Sequence, residues 1–418
     1  MNSYLGERTV SITYAGTNVS KNTNKGCVQG SALGPLLWNI LLNPLLYIAD
    51  SLEAHVQAFA DDILIIATGK TGSEVEAKAN TALNAIIKWG TENKLRFAPH
   101  KTQAMIVTKK IKYDTPRICV DFKEIATSKS IKVLGLTIDR HLNFNSHLDD
   151  LSRKTSLIFN MVSRAARANW GLNYDILRTM YLAVKEPIIL YAASVIKEST
   201  HLKGNVDRLN KITRKFALKI CKAHRTTSLT SATLLSWILP LDLRIQEQAR
   251  IYEIKRGNSL DELPGRSFPL SYAKYTTRLL TIEKWQKRYE AASTGSGTKM
   301  FFTNCREAHK IVLSMGINNL RAQILTGHGG IRQYLHRCKL AETPMCTCDD
   351  ESSETISHIL LECPKYGAAR HDCESALEER LTTDSLPLLM AVKKKREVFM
   401  RYAEEIMRRA GRANGATA

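Results

Sequence analysis

The chain has 418 residues, 44% of them hydrophobic, which is enough for two or three domains with a buried core. Its formal net charge is +20, and much of the excess lies in residues 151–260, with 19 basic and 7 acidic side chains. A segment this basic favours a polyanionic partner. Because no uncharged apolar run is long enough to cross a bilayer, the sequence favours nucleic acid over a membrane. With no targeting pattern at the N-terminus, the nine cysteines are interpreted as intracellular thiols or metal ligands.

The first part of the chain combines a short strand with one apolar helix. Residues 8–14 alternate apolar and polar side chains and predict a strand. The loop G-C-V-Q-G-S at 26–31 leads into an apolar segment, 33–48, which predicts a buried helix kinked near Pro44. The two glycines of the loop lack Cβ atoms, so its backbone can lie close to a base pair or a sugar, although an ordinary helix-entry loop has the same pattern.

The stretch 55–67, H-V-Q-A-F-A-D-D-I-L-I-I-A, places two adjacent carboxylates between apolar flanks. The flanks are rich in β-branched and aromatic residues, so we predict a hairpin with Asp61 and Asp62 at its tight turn. Burial between such flanks would make an unpaired charge costly, and the expected partner is Mg²⁺, which prefers carboxylates combined with substrate phosphates. An isolated Asp-Asp pair is more often an exposed acidic turn, so only its surroundings can decide.

After this hairpin the pattern predicts an amphipathic helix and further strands. Ser73 and Glu76 have the spacing of a capping box for a helix that ends near Gly90. A return strand is predicted over 95–107, and a strand pair interrupted by a glycine over 131–138. Together these elements predict an α+β domain with helices on one face of an antiparallel sheet.

From about Asn143 onward the periodicity is helical. The segment 205–222 has apolar residues on one side and cationic residues on the other. A single basic helix is commonly only a solvated face, but within the most basic part of the chain we favour contact with nucleic-acid phosphates. The candidate contacts are Lys211, Arg214, Lys215, Lys219 and Lys222.

Composition and periodicity predict a linker and a closing helix in the later part of the chain. Residues 291–298, A-A-S-T-G-S-G-T, have the composition of a flexible linker and mark a domain boundary. A closing helix is predicted over 388–409, entered just after Pro387. The basic run 393–396 lies in its second turn and is compatible with a solvated face.

Near the C-terminus the chain contains the pattern C-x-C-x9-H-x4-C. Thiols and an imidazole in such a group are ligands of a tetrahedral structural Zn²⁺, although the first spacing is tighter than usual. Chance grouping of thiols is the alternative, but Pro344 and Pro364 bracket the pattern as boundaries of a compact knuckle. The predicted ligands are Cys346, Cys348, His358 and Cys363, with Cys338 and Cys373 as substitutes, while Cys27, Cys119, Cys221 and Cys305 are expected to be packed or idle thiols.

Several of these motifs, in this order and spacing, resemble the later half of a reverse transcriptase. They are the loop at 26–31, Phe59-Ala60-Asp61-Asp62, Lys101-Thr102 and Val133-Leu134-Gly135. Within that class they resemble the non-LTR (LINE-type) retrotransposon polymerases of the jockey kind. The stretches L-G-P-L-L-W-N at 33–39 and L-T-G-H-G at 325–329, and the terminal Cys/His pattern, also resemble that group. The resemblance covers nearly the whole chain.

This resemblance implies an RNA-directed DNA polymerase, in which two Mg²⁺ ions hold the primer 3′-oxygen and the triphosphate in line. It makes Asp61 the catalytic metal ligand, with Asp62 in support, and places Lys101 near the departing pyrophosphate. The implied partners are an RNA template, a DNA primer or target, and dNTPs, with no membrane. Contacts to template, primer end or nucleotide are implied for Gly26, Gln29, Gly30, Ser31, Phe59 and Ala60.

The implied organisation is a partial palm at 1–142, a basic helical thumb or connection at 143–290, and a zinc-knuckle domain at 300–418. One departure is Val28, where the family usually has proline. A second is that the family's first catalytic aspartate lies on a strand upstream of the segment where this chain begins. We therefore expect a palm remnant without fingers, and little or no polymerase activity from this chain alone.

Two other interpretations stay open at this point. One is a non-catalytic nucleic-acid-binding protein that acts through the cationic helix face and the knuckle, with affinity that falls steeply with salt and is indifferent to Mg²⁺ and dNTPs. The other is a group II intron or another bacterial-type reverse transcriptase, which the terminal knuckle makes less fitting. The resemblance implies a nuclear and cytoplasmic location. The sequence does not indicate the oligomeric state, the insertion site or the RNA recognised.

Overall fold

The computed structural model describes residues 2–23, 26–166, 170–257 and 269–415. The chain divides into two compact units, residues 1–131 and 132–418. No single helix among the described residues is long and apolar enough to span a bilayer, although the bent pair formed by 174–190 and 193–201 passes that test on length and composition when the two are taken together.

The first unit combines three helices with short strands. Its helices are α1 (Asn2–Leu5), α2 (Gly34–Asp50) and α3 (Gly72–Glu92), with a 3₁₀ turn at Pro99–Lys101. Its strands form the antiparallel pairs β1 (Arg8–Tyr14) with β2 (Thr17–Thr23), β3 (Ala54–Phe59) with β4 (Asp62–Ala67), and β5 (Ile118–Val120) with β6 (Lys123–Ile125). A fourth pair, β7 (Ser130–Val133) with β8 (Leu136–Asp139), begins at the boundary between the units, and β8 belongs to the second unit.

The predicted mixture of helices and antiparallel strands is confirmed, but the single predicted sheet is not found. In the described part of the chain the strands form four separate two-stranded sheets. The return strand predicted over 95–107 is wrong, since its only ladder contact is an isolated bridge between Ala104 and Thr127. Without that strand, nothing connects the hairpins into one sheet. The strands predicted at 8–14 and 131–138 are confirmed.

Helix α2 is buried on one side only. Leu42 and Leu45 are buried, whereas Leu36, Ile40 and Tyr47 are each more than half exposed. The predicted burial of this helix therefore holds for one face only, because α2 packs against β3 and α3 and has no other large partner within the described part of its unit. Pro44 lies inside the helix, as predicted.

Helix α3 begins two residues before the predicted capping box. Thr71 is the N-cap and its hydroxyl accepts from the Glu74 N–H at 3.2 Å, while Glu74 accepts from the Lys70 N–H at 2.8 Å. Glu76 instead accepts from the Arg117 N–H at 2.8 Å, so it anchors a distant loop. The predicted apolar face is nevertheless the packed one, with Ala79, Ala82, Ile86 and Trp89 buried.

The second unit is almost entirely helical. Its first helices are α4 (Asn145–Ala165), α5 (Tyr174–Met180), α6 (Glu186–Leu190), α7 (Ala193–Ile196), α8 (Lys203–Ile220), α9 (Leu229–Ser236), α10 (Leu241–Lys255) and α11 (Leu270–Ala291). Its later helices are α12 (Ser296–Lys299), α13 (Cys305–Met315), α14 (Asn319–Thr326), α15 (Arg332–Arg337), α16 (Gly367–Leu377), α17 (Ser385–Ala391) and α18 (Lys393–Ala413). Tyr181–Lys185 and His358–Glu362 are π-helical, and Lys197–His201 and Pro364–Tyr366 are 3₁₀ turns.

The segment predicted as a flexible linker is anchored to this unit's core at its C-terminal end, although several of its residues are exposed. Thr298 is fully buried, and its hydroxyl bonds to the Ser231 hydroxyl at 2.7 Å and donates to the Leu325 carbonyl at 2.9 Å. A Cβ on Gly297 would lie 2.8 Å from the Thr326 carbonyl oxygen, so this glycine permits close packing. The small residues at 291–298 thus allow the backbone to pack closely against a neighbouring segment. The prediction of a flexible linker is therefore wrong.

The closing helix is broken where a continuous one was predicted. Helices α17 and α18 meet at Val392, which has an extended backbone. Arg396 is buried and donates to the Met390 carbonyl at 2.6 Å and the Ser314 hydroxyl at 3.0 Å. This basic run therefore includes a side chain that caps α17, rather than forming only a solvated face.

Candidate functional site

The Asp-Asp stretch forms the predicted hairpin with a two-residue turn. Strands β3 and β4 are antiparallel, with Phe59 paired with Asp62 and with Ala60 and Asp61 at the turn. Ala60 has φ +52°, in the left-handed region that tight hairpin turns use. The prediction that the two acids lie at the tight turn is confirmed.

One face of this hairpin packs on helices and the other is exposed. The packed side chains are Val56, Ala58, Ile63 and Ile65, against the buried group Leu42, Leu45, Ile86 and Trp89. Because neighbouring strand residues point to opposite faces, Asp62 lies on the face opposite Ile63, together with Phe59. The Phe59 ring is 64% exposed. The hairpin is thus held from one side and presents its polar end on the other.

A hydrogen bond from helix α2 fixes the turn. The Trp38 indole Nε1 donates to the Ala60 carbonyl oxygen at 2.8 Å. Trp38 lies in the apolar segment predicted as a buried helix, but it is only half-buried. Sequence reasoning did not identify this contact, although an indole N–H near an apolar surface signals the need for an acceptor.

Both carboxylates are exposed to solvent. Neither Asp61 nor Asp62 has a hydrogen bond or an ion pair with any described residue. Burial therefore does not force a counter-ion here, contrary to the expectation from the apolar flanks. The oxygens of both groups are instead available to an external ligand.

The glycine loop folds against the start of α2. Ser31 donates its N–H to the Val28 carbonyl at 3.2 Å, which closes a turn with Gln29 and Gly30 at its centre. Gly30 has φ +84°, a conformation that favours glycine. The Ser31 hydroxyl accepts from the Gly34 N–H at 3.0 Å, so Ser31 also caps the helix. Gln29 is exposed.

The glycine loop and the Asp61 hairpin turn are both hydrogen-bonded to the N-terminal part of α2. Ser31 bonds at Gly34, and Trp38, about one helical turn further on, bonds at Ala60. The structure thus brings the predicted loop and hairpin residues toward one end of one helix. Lys101 ends the 3₁₀ turn after α3 and is exposed, and no described contact joins it to the hairpin.

The predicted basic helix is α8, and its apolar face is confirmed by the burial of Leu209, Ile212, Phe216 and Ile220. The cationic residues of α8 differ in solvent exposure and in their hydrogen bonds. Lys211 and Lys215 are exposed, while Arg214 is partly buried and donates to the Thr227 carbonyl at 2.8 Å. Lys219 and Lys222 are partly exposed. Arg214 therefore supports the loop after α8, and the two exposed lysines are the freest of the set.

The four predicted Cys/His ligands converge. The ligand atoms of Cys346, Cys348, His358 and Cys363 lie within 4.8 Å of one another and form a group that can hold a metal ion. Two of the separations are 3.8 Å between the sulfurs of Cys346 and Cys363, and 3.3 Å from the Cys348 sulfur to His358 Nε2. Cys373 is buried in the surrounding core and Cys338 packs at its edge, and neither belongs to the group.

Short backbone bonds shape this group. The Cys346 N–H donates to the Ser352 carbonyl at 2.7 Å and the Asp350 N–H donates to the Cys346 carbonyl at 2.9 Å, closing a tight knuckle around the first two thiols. His358 Nδ1 lies 3.6 Å from the Glu362 carboxylate. Burial raises the pKa of the Cys346 and Cys363 thiols, which a bound cation would reverse by holding them as thiolates.

Comparison with known proteins shows which proteins this chain is similar to. Residues 1–138 match the family model described as reverse transcriptase (RNA-dependent DNA polymerase). The chain is 29% identical over 376 residues to the putative 115 kDa protein in type-1 retrotransposable element R1DM of Drosophila melanogaster, covering 88% of this chain and 36% of that protein.

Two further relatives agree. The retrovirus-related Pol polyprotein from type-1 retrotransposable element R1 2 of Nasonia vitripennis is 29% identical, covering 83% of this chain and 87% of the relative. The RNA-directed DNA polymerase from mobile element jockey of Drosophila funebris is 26% identical, covering 48% of this chain and 23% of the relative. No solved structure matches the chain. The resemblance drawn from the motifs is confirmed: residues 1–138 match the reverse transcriptase family model, and most of the chain is similar to proteins of non-LTR retrotransposons.

Proposed function

We propose that this chain carries part of the catalytic centre of an RNA-directed DNA polymerase that extends a DNA primer on an RNA template. Asp61 is the principal Mg²⁺ ligand and Asp62 supports it. The observation that carries the proposal is the hairpin end, where a fixed tight turn presents two adjacent carboxylates without internal partners. The family match over residues 1–138, which includes this hairpin, supports it.

The donor set at the turn suits a hard cation. Mg²⁺ keeps several waters and is commonly bound through one or two carboxylates plus substrate phosphates. When bound, such ions polarise the phosphoryl oxygens and help to form the attacking 3′-oxygen. The contribution of this chain is positional, because the Trp38 bond to the Ala60 carbonyl limits movement of the turn that bears Asp61.

The glycine loop and Phe59 supply the proposed substrate contacts. Gln29 and Gly30 form an exposed turn at the start of α2, where no Cβ on Gly30 would hinder an approaching sugar or base. The exposed Phe59 ring shares a hairpin face with Asp62 and suits stacking against a nucleotide. Gly26, Ser31 and Ala60 belong to the same proposed contact set. Lys101 is proposed to meet the departing pyrophosphate.

The domain assignment is part of the same proposal. A partial palm covers 1–142, and the basic helical thumb or connection (143–290) and the knuckle region (300–418) share one core. The division into compact units at residue 131 and the helical character of the second unit support the first of these boundaries. A nuclear and cytoplasmic location is proposed with it.

We further propose that the Cys/His group holds a structural Zn²⁺. Tetrahedral coordination with Zn–S bonds of about 2.3 Å separates two sulfurs by about 3.8 Å. The Cys346 and Cys363 sulfurs are 3.8 Å apart. Glu362 lies where a carboxylate would orient the ligating imidazole of His358.

Manganese binding tests the hairpin without requiring catalysis. The 418-residue chain is titrated with Mn²⁺ in the presence of primer–template and a dNTP, and free Mn²⁺ is followed by electron paramagnetic resonance. Asp61→Asn should weaken the hairpin site at least about tenfold, since it removes a charged ligand. The matched control is Asp121→Asn, because Asp121 is an exposed aspartate at another hairpin turn of the same unit.

Equal Mn²⁺ affinity for the wild-type chain and Asp61→Asn would contradict the proposal, as would an equal loss in Asp121→Asn. Template-dependent dNTP incorporation provides the activity measurement. Any incorporation by the purified chain should disappear in Asp61→Ala and persist in Asp121→Asn. Incorporation that survives Asp61→Ala would show that another group holds the metal.

A further inference from the structure

The L-T-G-H-G stretch at 325–329 has no role in the proposed polymerase chemistry, yet its histidine lies in a cluster of planar groups. The ring of His328 stacks on the ring of Tyr334 at 4.9 Å with an interplanar angle of 22°. The guanidinium of Arg337 lies over the Tyr334 ring, 5.2 Å from its centre. The His224 ring lies 5.6 Å from Tyr334.

Hydrogen bonds fix the roles of both ring nitrogens in His328. Arg337 Nη2 lies 2.7 Å from Nε2, and because a guanidinium only donates, Nε2 is the acceptor. Nδ1 therefore carries the proton and donates to the Thr227 hydroxyl at 3.2 Å. Burial, together with nearby Arg337 and His224, lowers the pKa of His328 to about 4, which agrees with a neutral ring.

These contacts position the Arg337 side chain but leave most of its N–H donors available. Its side chain is exposed, and only one of its N–H groups bonds within the described residues. A guanidinium offers five N–H donors in a rigid fork that matches phosphate oxygens. Because the stack and the His328 bond already restrict the side chain, little further ordering is needed when an anion binds.

Arg337 lies where two basic segments of the chain, 211–225 and 328–341, come together. The Tyr334 hydroxyl bonds to the Thr226 hydroxyl at 2.9 Å, which brings the loop after α8 to this cluster. Arg225, next to Thr226, is exposed and has no bond through its side chain among the described residues. Residues 211–225 and 328–341 contain no acidic residue. The exposed Lys339 adds a further positive charge on the second segment.

We propose that Arg337 and Arg225 bind backbone phosphates of a single-stranded nucleic acid, and that His328 is the positioning residue for Arg337. The choice of nucleic acid as the ligand rests on the proposed polymerase function. The site itself rests on the stack, the two-sided bonding of His328 and the absence of acidic residues in both segments. It lies outside the hairpin and outside the Cys/His group.

The test measures binding of the full 418-residue chain to a fluorescent oligouridine RNA by anisotropy, without Mg²⁺ or dNTP. Arg337→Ala should weaken binding about tenfold, and the slope of log affinity against log salt should fall by about 0.7 between about 50 and about 200 mM salt. The matched control is Arg380→Ala, which removes the same charge from an exposed side chain in the same unit. It should change affinity less than about twofold.

A double-mutant cycle tests the positioning role. His328→Phe keeps a ring for the stack but removes the acceptor, so it should lower affinity toward the Arg337→Ala value. Adding His328→Phe to Arg337→Ala should then cost little more, because both changes remove one interaction. Thermal unfolding of each variant separates loss of this contact from loss of fold. Additive losses in the cycle would overturn the positioning role.

Further outcomes overturn the site itself. Equal effects of Arg337→Ala and Arg380→Ala would show that only net charge matters. Displacement of the RNA by millimolar inorganic phosphate at constant ionic strength would show a site for free phosphate instead of a strand. Because this binding assay contains no metal ion or dNTP, a failure here is distinguishable from a failure of manganese binding at the hairpin.

Discussion

The two candidate metal sites of this chain lie in opposite surroundings. The Asp61 hairpin ends in solvent, and the group packed beneath it contains four buried apolar side chains among the described residues. The Cys/His group lies in an extended core, where Cys346 and Cys363 are fully buried among residues from most helices of the second unit. The contrast teaches that one site is arranged to exchange ligands with solvent, and the other to stabilise the fold.

From this contrast we expect the largest loss of folding stability when one of the buried cysteine ligands is replaced. Cys363→Ser should abolish zinc binding and lower the free energy of unfolding of the second unit by more than about 4 kcal/mol, because metal binding and folding are coupled. Zinc content by elemental analysis and thermal unfolding measure the two effects. The control is Cys373→Ser, a buried thiol of the same core outside the group, which should retain zinc. A Cys363→Ser protein with full zinc content would contradict the assignment.

The next largest loss of folding stability is expected when a buried ion-pair network in the second unit is broken. Arg244 donates to both oxygens of Glu186, at 2.9 and 3.1 Å, and Nη1 lies 2.6 Å from Glu247. All three side chains are buried. Arg244→Met should cost about 3–4 kcal/mol, because it leaves two buried carboxylates with fewer partners.

Denaturant unfolding measures this loss against an ion pair whose arginine is exposed. Arg408 and Glu404 form an ion pair one helical turn apart at 3.2 Å, with the Arg408 side chain half exposed. Arg408→Met should cost less than about 0.5 kcal/mol. Similar losses for Arg244→Met and Arg408→Met would show that burial does not set the strength of these pairs.

Lys185 offers a change in the stabilising direction. It is 1% exposed, its ammonium lies 3.1 Å from the Phe216 ring centre, and burial, with Lys215 nearby, lowers its pKa to about 6. Between pH 6 and 10 the unfolded chain holds a proton on this lysine that the folded chain lacks, so this group makes stability rise with pH. Lys185→Met should therefore raise stability by about 2–4 kcal/mol at pH 7.

The advantage of Lys185→Met over wild type should shrink as the pH approaches 10, because the unfolded lysine then loses its proton as well. Unfolding curves at pH 7 and at pH 10 measure this difference, and other titrating groups cancel in the comparison. An advantage of equal size at both pH values would show that the folded protein does not keep this lysine neutral.

The smallest effect on stability is expected at the hairpin. Asp61 is exposed and unbonded, so Asp61→Asn should change the free energy of unfolding of the first unit by less than about 0.5 kcal/mol. Thermal unfolding alongside Asp121→Asn measures this. A loss above about 1 kcal/mol would show that the carboxylate has a structural role, and would weaken the contrast between the two sites.

Local signals in the sequence predicted much of both sites. The β-branched and aromatic flanks of Asp61 predicted the hairpin, and the spacing of Cys346 to Cys363 predicted the ligand group, because in both cases the determining residues are close together in the chain. Contacts between distant residues were not predictable in this way. The Trp38 bond to Ala60 and the burial of Thr298 depend on partners far along the sequence, and composition alone made residues 291–298 look flexible.

The same reason explains the errors in strand and helix boundaries. The apolar residues over 95–107 suggested a strand, but the nearby backbone offers only one bridge to pair with. Glu76 has the spacing of a capping residue, yet it bonds Arg117, while Thr71 and Glu74 cap the helix. Propensity located these elements approximately, and tertiary contacts fixed where they end.

Iron-directed cleavage tests the central claim most directly. The zinc-loaded chain, bound to primer–template and a dNTP, is exposed to Fe²⁺ with ascorbate and peroxide, so that backbone cuts occur near a bound cation. The account predicts cuts around residues 59–64 in the wild-type chain and in Asp121→Asn, and their loss in Asp61→Asn. Cuts that are absent from this hairpin, or that persist unchanged in Asp61→Asn, would contradict the assignment of a polymerase metal to these carboxylates.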